Sequence, residues 1–202
     1  MEQTESCISL YDGEYFDFLD PDRSVYSVGT IAHALSNLCR YTGHVNRFYS
    51  VAEHSVLVSL AVPKKFALEG LFHDAAEAFL GDVSSPLKKL LPEYRALEDA
   101  AMASIAKKFN LSPWKLHSLE VHQADKRMYH AERQHIAPGK DDLWHTNLRA
   151  VRSVKPVGFS PAVAETLFLE RYKELTEGRT DERNEQIREQ GSSQGQAAMA
   201  GT

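Results

Sequence analysis

Apolar positions along most of the chain recur at helical spacing. Ile31, Ala34, Leu35 and Leu38 stand at i, i+3, i+4 and i+7, which lines one face of a helix. Ser50-Val-Ala-Glu53 has the form of a capping box and predicts the start of a helix that carries His54. Pro63 opens a further helix, expected to run unbroken through His73 and to stop at Gly81. Ser85-Pro86 starts a short helix over Leu87 to Leu91. A long one follows from Pro92 to Phe109, with Leu97, Ala101, Ile105 and Phe109 on one face. Ser112-Pro113 and Ser160-Pro161 are two more N-cap-plus-proline starts, for helices ending near His135 and Glu177. Only the beginning breaks this rhythm. Ser9 to Phe18 reads as two short strands around an Asp12-Gly13 turn, and Pro21 ends that element. Ala137 to Phe159 reads as a loop region. After Gly178 the chain is polar and reads as a disordered tail. The expected organisation is one all-α domain over 1–177, with a short N-terminal β-hairpin, and a tail over 178–202.

Composition limits what such a domain does. The chain has 202 residues, 43% hydrophobic and 25% charged, enough for one real core. Its formal net charge of -5 argues against sequence-independent binding to a nucleic-acid polymer, which needs a basic footprint. Two cysteines, Cys7 and Cys39, make no disulfide framework, and no secretory signal opens the chain, so a cytoplasmic protein is expected. No apolar run approaches the roughly 20 residues of a membrane span.

The candidate chemistry centres on His73-Asp74 within Gly70-Leu-Phe-His-Asp-Ala-Ala-Glu-Ala-Phe-Leu-Gly-Asp82. Neighbouring His and Asp side chains on a helix can share one metal ion. His54 lies upstream and Asp125 downstream, each on its own predicted helix. Two imidazoles and two carboxylates suit a hydrolytic divalent ion such as Zn, Co, Mn or Mg. At about 100° per residue, Asp74 and Glu77 fall on the same helix face as His73. Glu77 is then placed to accept a proton from a water molecule at the metal. An anionic substrate at such a metal would need cations, and Arg40 and Lys88 are the nearest with a physical warrant. Arg40 can bond phosphate oxygens through two nitrogens. Lys88 sits at a helix start, where backbone N–H groups favour anions. His117 and His122 lie too close together and too late for a second metal, so a mononuclear centre is expected. Trp114 and Trp144 read as core aromatics.

The order Val51-Ala-Glu-His-Ser55, His73-Asp-Ala-Ala-Glu-Ala-Phe-Leu-Gly-Asp82, Pro86-Leu-Lys88 and Ala124-Asp125 resembles the small HD-domain metal-dependent nucleotide phosphohydrolases. That family includes bacterial 5'-deoxynucleotidases and phage dATP triphosphohydrolases. The similar stretch covers roughly residues 30 to 135. The resemblance implies an HD-domain helical bundle, with His54, His73, Asp74 and Asp125 as metal ligands. It implies Glu77 as the residue that orients or deprotonates the attacking water. Arg40 matches a phosphate-contacting arginine, and Asp82 a second acidic position near substrate or a further Mg ion. Tyr41 departs from the pattern, because the deoxynucleotidase branch carries Trp there.

The expected activity is hydrolysis of a small-molecule deoxynucleotide. The first expectation is a dATP triphosphohydrolase releasing deoxyadenosine and triphosphate, in a bacterial or phage-infected cell. The alternatives are a 5'-deoxynucleotidase acting on monophosphates and a nucleotide-binding protein without turnover. The resemblance also implies a homo-oligomer.

Overall fold

The structure is a computed structural model that describes residues 5–137, 149–151 and 154–177. The expected tail, and Trp144, lie outside the described residues. The protein is an all-α bundle with one two-stranded hairpin at its start. Strands β1 (Cys7–Ser9) and β2 (Tyr15–Asp17) pair antiparallel, with Ile8 opposite Phe16. The helices that follow are α1 (Val28–Asn37), α2 (Val51–Ala61), α3 (Ala67–Phe72), α4 (Glu77–Leu80), α5 (Ser85–Lys88), α6 (Pro92–Lys108), α7 (Pro113–Leu116) and α8 (Leu119–His135). A last helix, α9, spans 161–177. Among the described residues, no helix is long and apolar enough to cross a membrane.

Helix α2 is central. Every residue from Val51 to Ser59 is buried, so this helix meets solvent only in its last turn. Val51, Ala52 and Val56 pack with Leu68, Leu71 and Phe72 of α3, with α1 and with Phe168 of α9. Leu57 and Val58 pack in a second cluster with Val121, Ala124 and Met128 of α8. A polar side chain on α2 therefore has to find partners inside the protein. The hairpin joins the first cluster by stacking Phe16 on Phe79, with ring centroids 3.9 Å apart.

Three local readings differ from the pattern-based ones. The helix expected from Pro63 to Gly81 is interrupted. A 3-10 turn at Lys64–Phe66 leads into α3, and His73 to Ala76 form a tight turn between α3 and α4. There the backbone bonds run i to i+3, from Ala75 N–H to the Phe72 carbonyl and from Glu77 N–H to the Asp74 carbonyl, both at 3.0 Å. At about 3.0 residues per turn, Glu77 turns away from His73 and falls in line with Asp74, whose charge acts on it. The helix expected from Ser112 is likewise two helices. Ser118 interrupts it and caps α8, its hydroxyl accepting from Val121 N–H.

The third difference concerns Glu53. The Ser50 hydroxyl does cap α2, accepting from Glu53 N–H at 3.1 Å. The Glu53 carboxylate does not return the bond. It accepts from the backbone N–H groups of Val157, Gly158 and Phe159, at 2.7–3.1 Å. This pins the segment entering α9 against the central helix.

Gly158 has φ +83°, and a Cβ there would lie 2.7 Å from the Phe48 carbonyl oxygen. Gly158→Ala is expected to cost about 1–3 kcal/mol through backbone strain alone. In a chain of this size that lowers Tm by about 2–12 °C. An unchanged melting curve would show that the Glu53 anchor tolerates a different backbone.

Candidate metal centre

His54 points inward from α2 and is fully buried. Its Nε2 lies 3.2 Å from His73 Nε2, 3.6 Å from Asp74 Oδ2 and 3.2 Å from Asp125 Oδ1. His73 Nε2 lies 3.2 Å from Asp74 Oδ2 and 3.9 Å from Asp125 Oδ1. Four expected ligands from α2, the turn after α3, and α8 thus converge on one point. The donor atoms of His54, His73 and Asp74 all lie within 4.8 Å of one another, and among the described residues they form the one such His/Cys/Asp/Glu group. His117 and His122 are exposed and stand apart from it.

The chemistry of the donor set fits a metal. Donors about 2.0–2.2 Å from one ion stand roughly 3–3.5 Å from each other, close to the separations here. The remaining ring nitrogens supply the stronger argument. His73 Nδ1 is 2.9 Å from the Gly70 carbonyl oxygen, which only accepts, so Nδ1 carries the proton. His54 Nδ1 is 2.5 Å from Oε1 of the buried Glu132 carboxylate and donates in the same way. Both rings then aim an Nε2 lone pair at the common point, where a cation satisfies them. Without one, burial pulls the His73 imidazole down, but Asp74 and Asp125 outweigh it and hold it well above its ordinary pKa. Burial opposes charge on Asp74 and Asp125 as well. The facing imidazoles nonetheless keep both carboxyls below the usual range.

Arg40 and Tyr41 arrive on a short turn, Arg40–Gly43. Tyr41 and Thr42 there have φ +59° and +54°, in the left-handed region that β-branched residues avoid. The Arg40 guanidinium lies between two carboxylates, 3.5 Å from Asp74 Oδ2 and 3.3 Å from Glu132 Oε2. Its Nε is buried with no hydrogen-bond partner. The Tyr41 hydroxyl donates to Glu132 Oε2 at 2.5 Å.

Glu77 is buried at the start of α4. Lys88 Nζ donates to its Oε1 at 3.0 Å and to Glu98 Oε1 at 2.5 Å. Glu77 Oε2 has no partner. Burial, then Asp74 and Asp82, push the Glu77 carboxyl well above its ordinary pKa, against Lys88 and Arg40. Asp82, half-buried just past Gly81, belongs to this neighbourhood through its charge. Trp114, expected in the core, is exposed and only edges Phe66, with centroids 5.9 Å apart.

Glu132 is the residue that pattern reading missed. It is fully buried, and Tyr49 also donates to its Oε1, at 2.9 Å. Burial opposes its charge, yet Arg40 and His54 hold its carboxyl down at about 2. A signal existed. Glu132 stands seven residues after Asp125, in the stripe of Val121, Ala124 and Met128 that faces the interior.

No model of a known protein family matches the chain. Individual proteins do. A 5'-deoxynucleotidase of Pasteurella multocida is 27% identical over 120 residues, which is 56% of this chain and 52% of that protein. The 5'-deoxynucleotidase YfbR of Salmonella typhi is 26% identical over 117 residues, 48% of this chain and 57% of its own length. The chain thus spans about half the length of these two enzymes. The uncharacterized protein YfdR of Escherichia coli is 36% identical over 174 residues, covering 85% of this chain and 97% of that protein. With that identity over nearly the whole of both chains, the protein belongs to the family of YfdR.

Proposed function

We propose that the protein is an HD-domain, metal-dependent phosphohydrolase of deoxynucleotides. The observation that carries this reading is the convergence of His54, His73, Asp74 and Asp125, with both imidazoles anchored so that Nε2 faces the same point. The two similar proteins named 5'-deoxynucleotidases support the substrate class. In this reading the four side chains hold one divalent ion, Zn, Co or Mn, and a further Mg enters with substrate.

When bound, the metal neutralises phosphoryl charge and acidifies a water molecule. Glu77, whose Oε2 has no partner, would be the residue that takes the proton of such a water. Lys88 holds the other Glu77 oxygen. Two of the three Lys88 donors hold Glu77 and Glu98, so Lys88 fixes Glu77 and has a third N–H to offer phosphate. Arg40, held between Asp74 and Glu132, is the cation assigned to phosphate, and Asp82, whose charge acts on Glu77, is assigned to substrate or the further Mg. The Tyr41 ring lines the sugar and base.

The bond attacked joins the 5' oxygen to the α-phosphorus. The names of the two similar enzymes favour deoxynucleoside monophosphates. Tyr41, where the deoxynucleotidase branch carries Trp, favours the second reading, dATP cleaved to deoxyadenosine and triphosphate. Chromatography of products from a panel of deoxynucleotides separates them. Phosphate released from monophosphates alone establishes the first, and triphosphate from dATP the second. Release of dADP would contradict the bond assignment, and binding without turnover would leave a nucleotide-binding protein.

A further inference from the structure

The geometry points to Glu132 as the positioning residue of the metal centre. It fixes the His54 tautomer and ties that ligand to the turn carrying Arg40 and Tyr41. This rests on the metal-dependent reading above.

Glu132 contributes no atom to the metal point. Its two oxygens divide the work. Oε1 accepts from His54 Nδ1 and Tyr49, while Oε2 accepts from Tyr41 and Arg40. One buried carboxylate thus collects four donors from the 40–43 turn, the residue preceding Ser50, and α2. An ionised carboxylate cannot donate, so the proton between it and His54 stays on Nδ1 and Nε2 keeps its lone pair. With the Glu132 acceptor absent, His54 is free to carry its proton on Nε2, where it faces the metal and blocks coordination. Arg40 completes a ring, bonding Glu132 on one side and Asp74 on the other. Two metal ligands on different elements are therefore braced through a pair that touches no metal. Losing a partner that orients a ligating histidine typically weakens metal affinity 10–100-fold.

The test is Co²⁺ or Zn²⁺ affinity of metal-stripped full-length protein, measured by competition with a chromophoric chelator. Glu132→Gln is expected to bind the ion 10–100-fold more weakly than wild type. Tyr49→Phe, which removes a donor from the same carboxylate but spares His54, should stay within about threefold, since the lost bond touches no ligand. A Glu132→Gln protein with lowered metal-free Tm but wild-type affinity would make Glu132 a core residue only and overturn the proposal. If Glu132→Gln does not fold, Glu132→Asp carries the test. It keeps the charge but withdraws the carboxylate from His54 by one methylene, and wild-type affinity there overturns the proposal equally. Wild-type protein that binds neither ion fails at the underlying metal reading and takes the proposal with it.

Discussion

Glu77→Gln is expected to retain metal and fold while losing turnover by about 10²–10⁴-fold, the usual contribution of a general base. The substitution preserves shape and keeps an oxygen for Lys88 Nζ, so the contact at 3.0 Å survives. What disappears is the ability to take a proton. Two features make this loss specific. Glu77 is buried, so its carboxylate is not one of many exposed acids that bulk water can replace. Its Oε2 is buried with no partner, an arrangement that costs stability and that a reacting water relieves. Steady-state rates on the best substrate, beside metal content and circular dichroism, decide the matter. A variant with near wild-type kcat would exclude Glu77 as the base and leave it a counter-charge for Lys88.

His73→Ala is expected to abolish stoichiometric metal. His73 supplies one of four donors, and its loss should exceed the 10–100-fold seen when only a ligand's partner is removed. Thermal stability gives a second readout. A ligand at about 100 times its Kd stabilises the folded state by about 2.7 kcal/mol. Wild-type Tm should therefore rise on adding Co²⁺ or Zn²⁺ and fall on chelation, whereas the variant should respond to neither. Equal metal content in both proteins would remove His73 from the ligand set and reopen the centre.

The side chains that converge at the candidate centre were legible because they lie in short motifs. His73-Asp74 is a dipeptide, and helix starts at Ser50 and Pro92 are written in single residues. Helix interruptions were less legible. Nothing in the apolar spacing from Pro63 to Gly81 announces that the turn at His73 tightens. That tightening goes with a local side-chain bond, from the His73 ring to the Gly70 carbonyl three residues back, which apolar spacing does not encode. Ser118 was hidden differently, because the proline at 113 offered a sufficient start for one long helix. Glu53 was read as the second half of a capping box, and its real partners lie more than a hundred residues onward. Glu132 looked like one more acid on a charged helix. Its burial comes from α8 docking against α2, a contact that local pattern does not contain.

The Glu53 anchor has a consequence for synthesis on the ribosome. Its partner Phe159 is 106 residues downstream, which takes about 5–20 s at 5–20 residues per second. Until then the carboxylate must stay hydrated, since burying it unpaired costs several kcal/mol. Helix α2, though made early, therefore remains open along that edge while the rest of the bundle emerges. The neighbouring residue is His54. A nascent chain thus holds His54, the first of the candidate ligands, on an unfinished helix until Phe159 has been made.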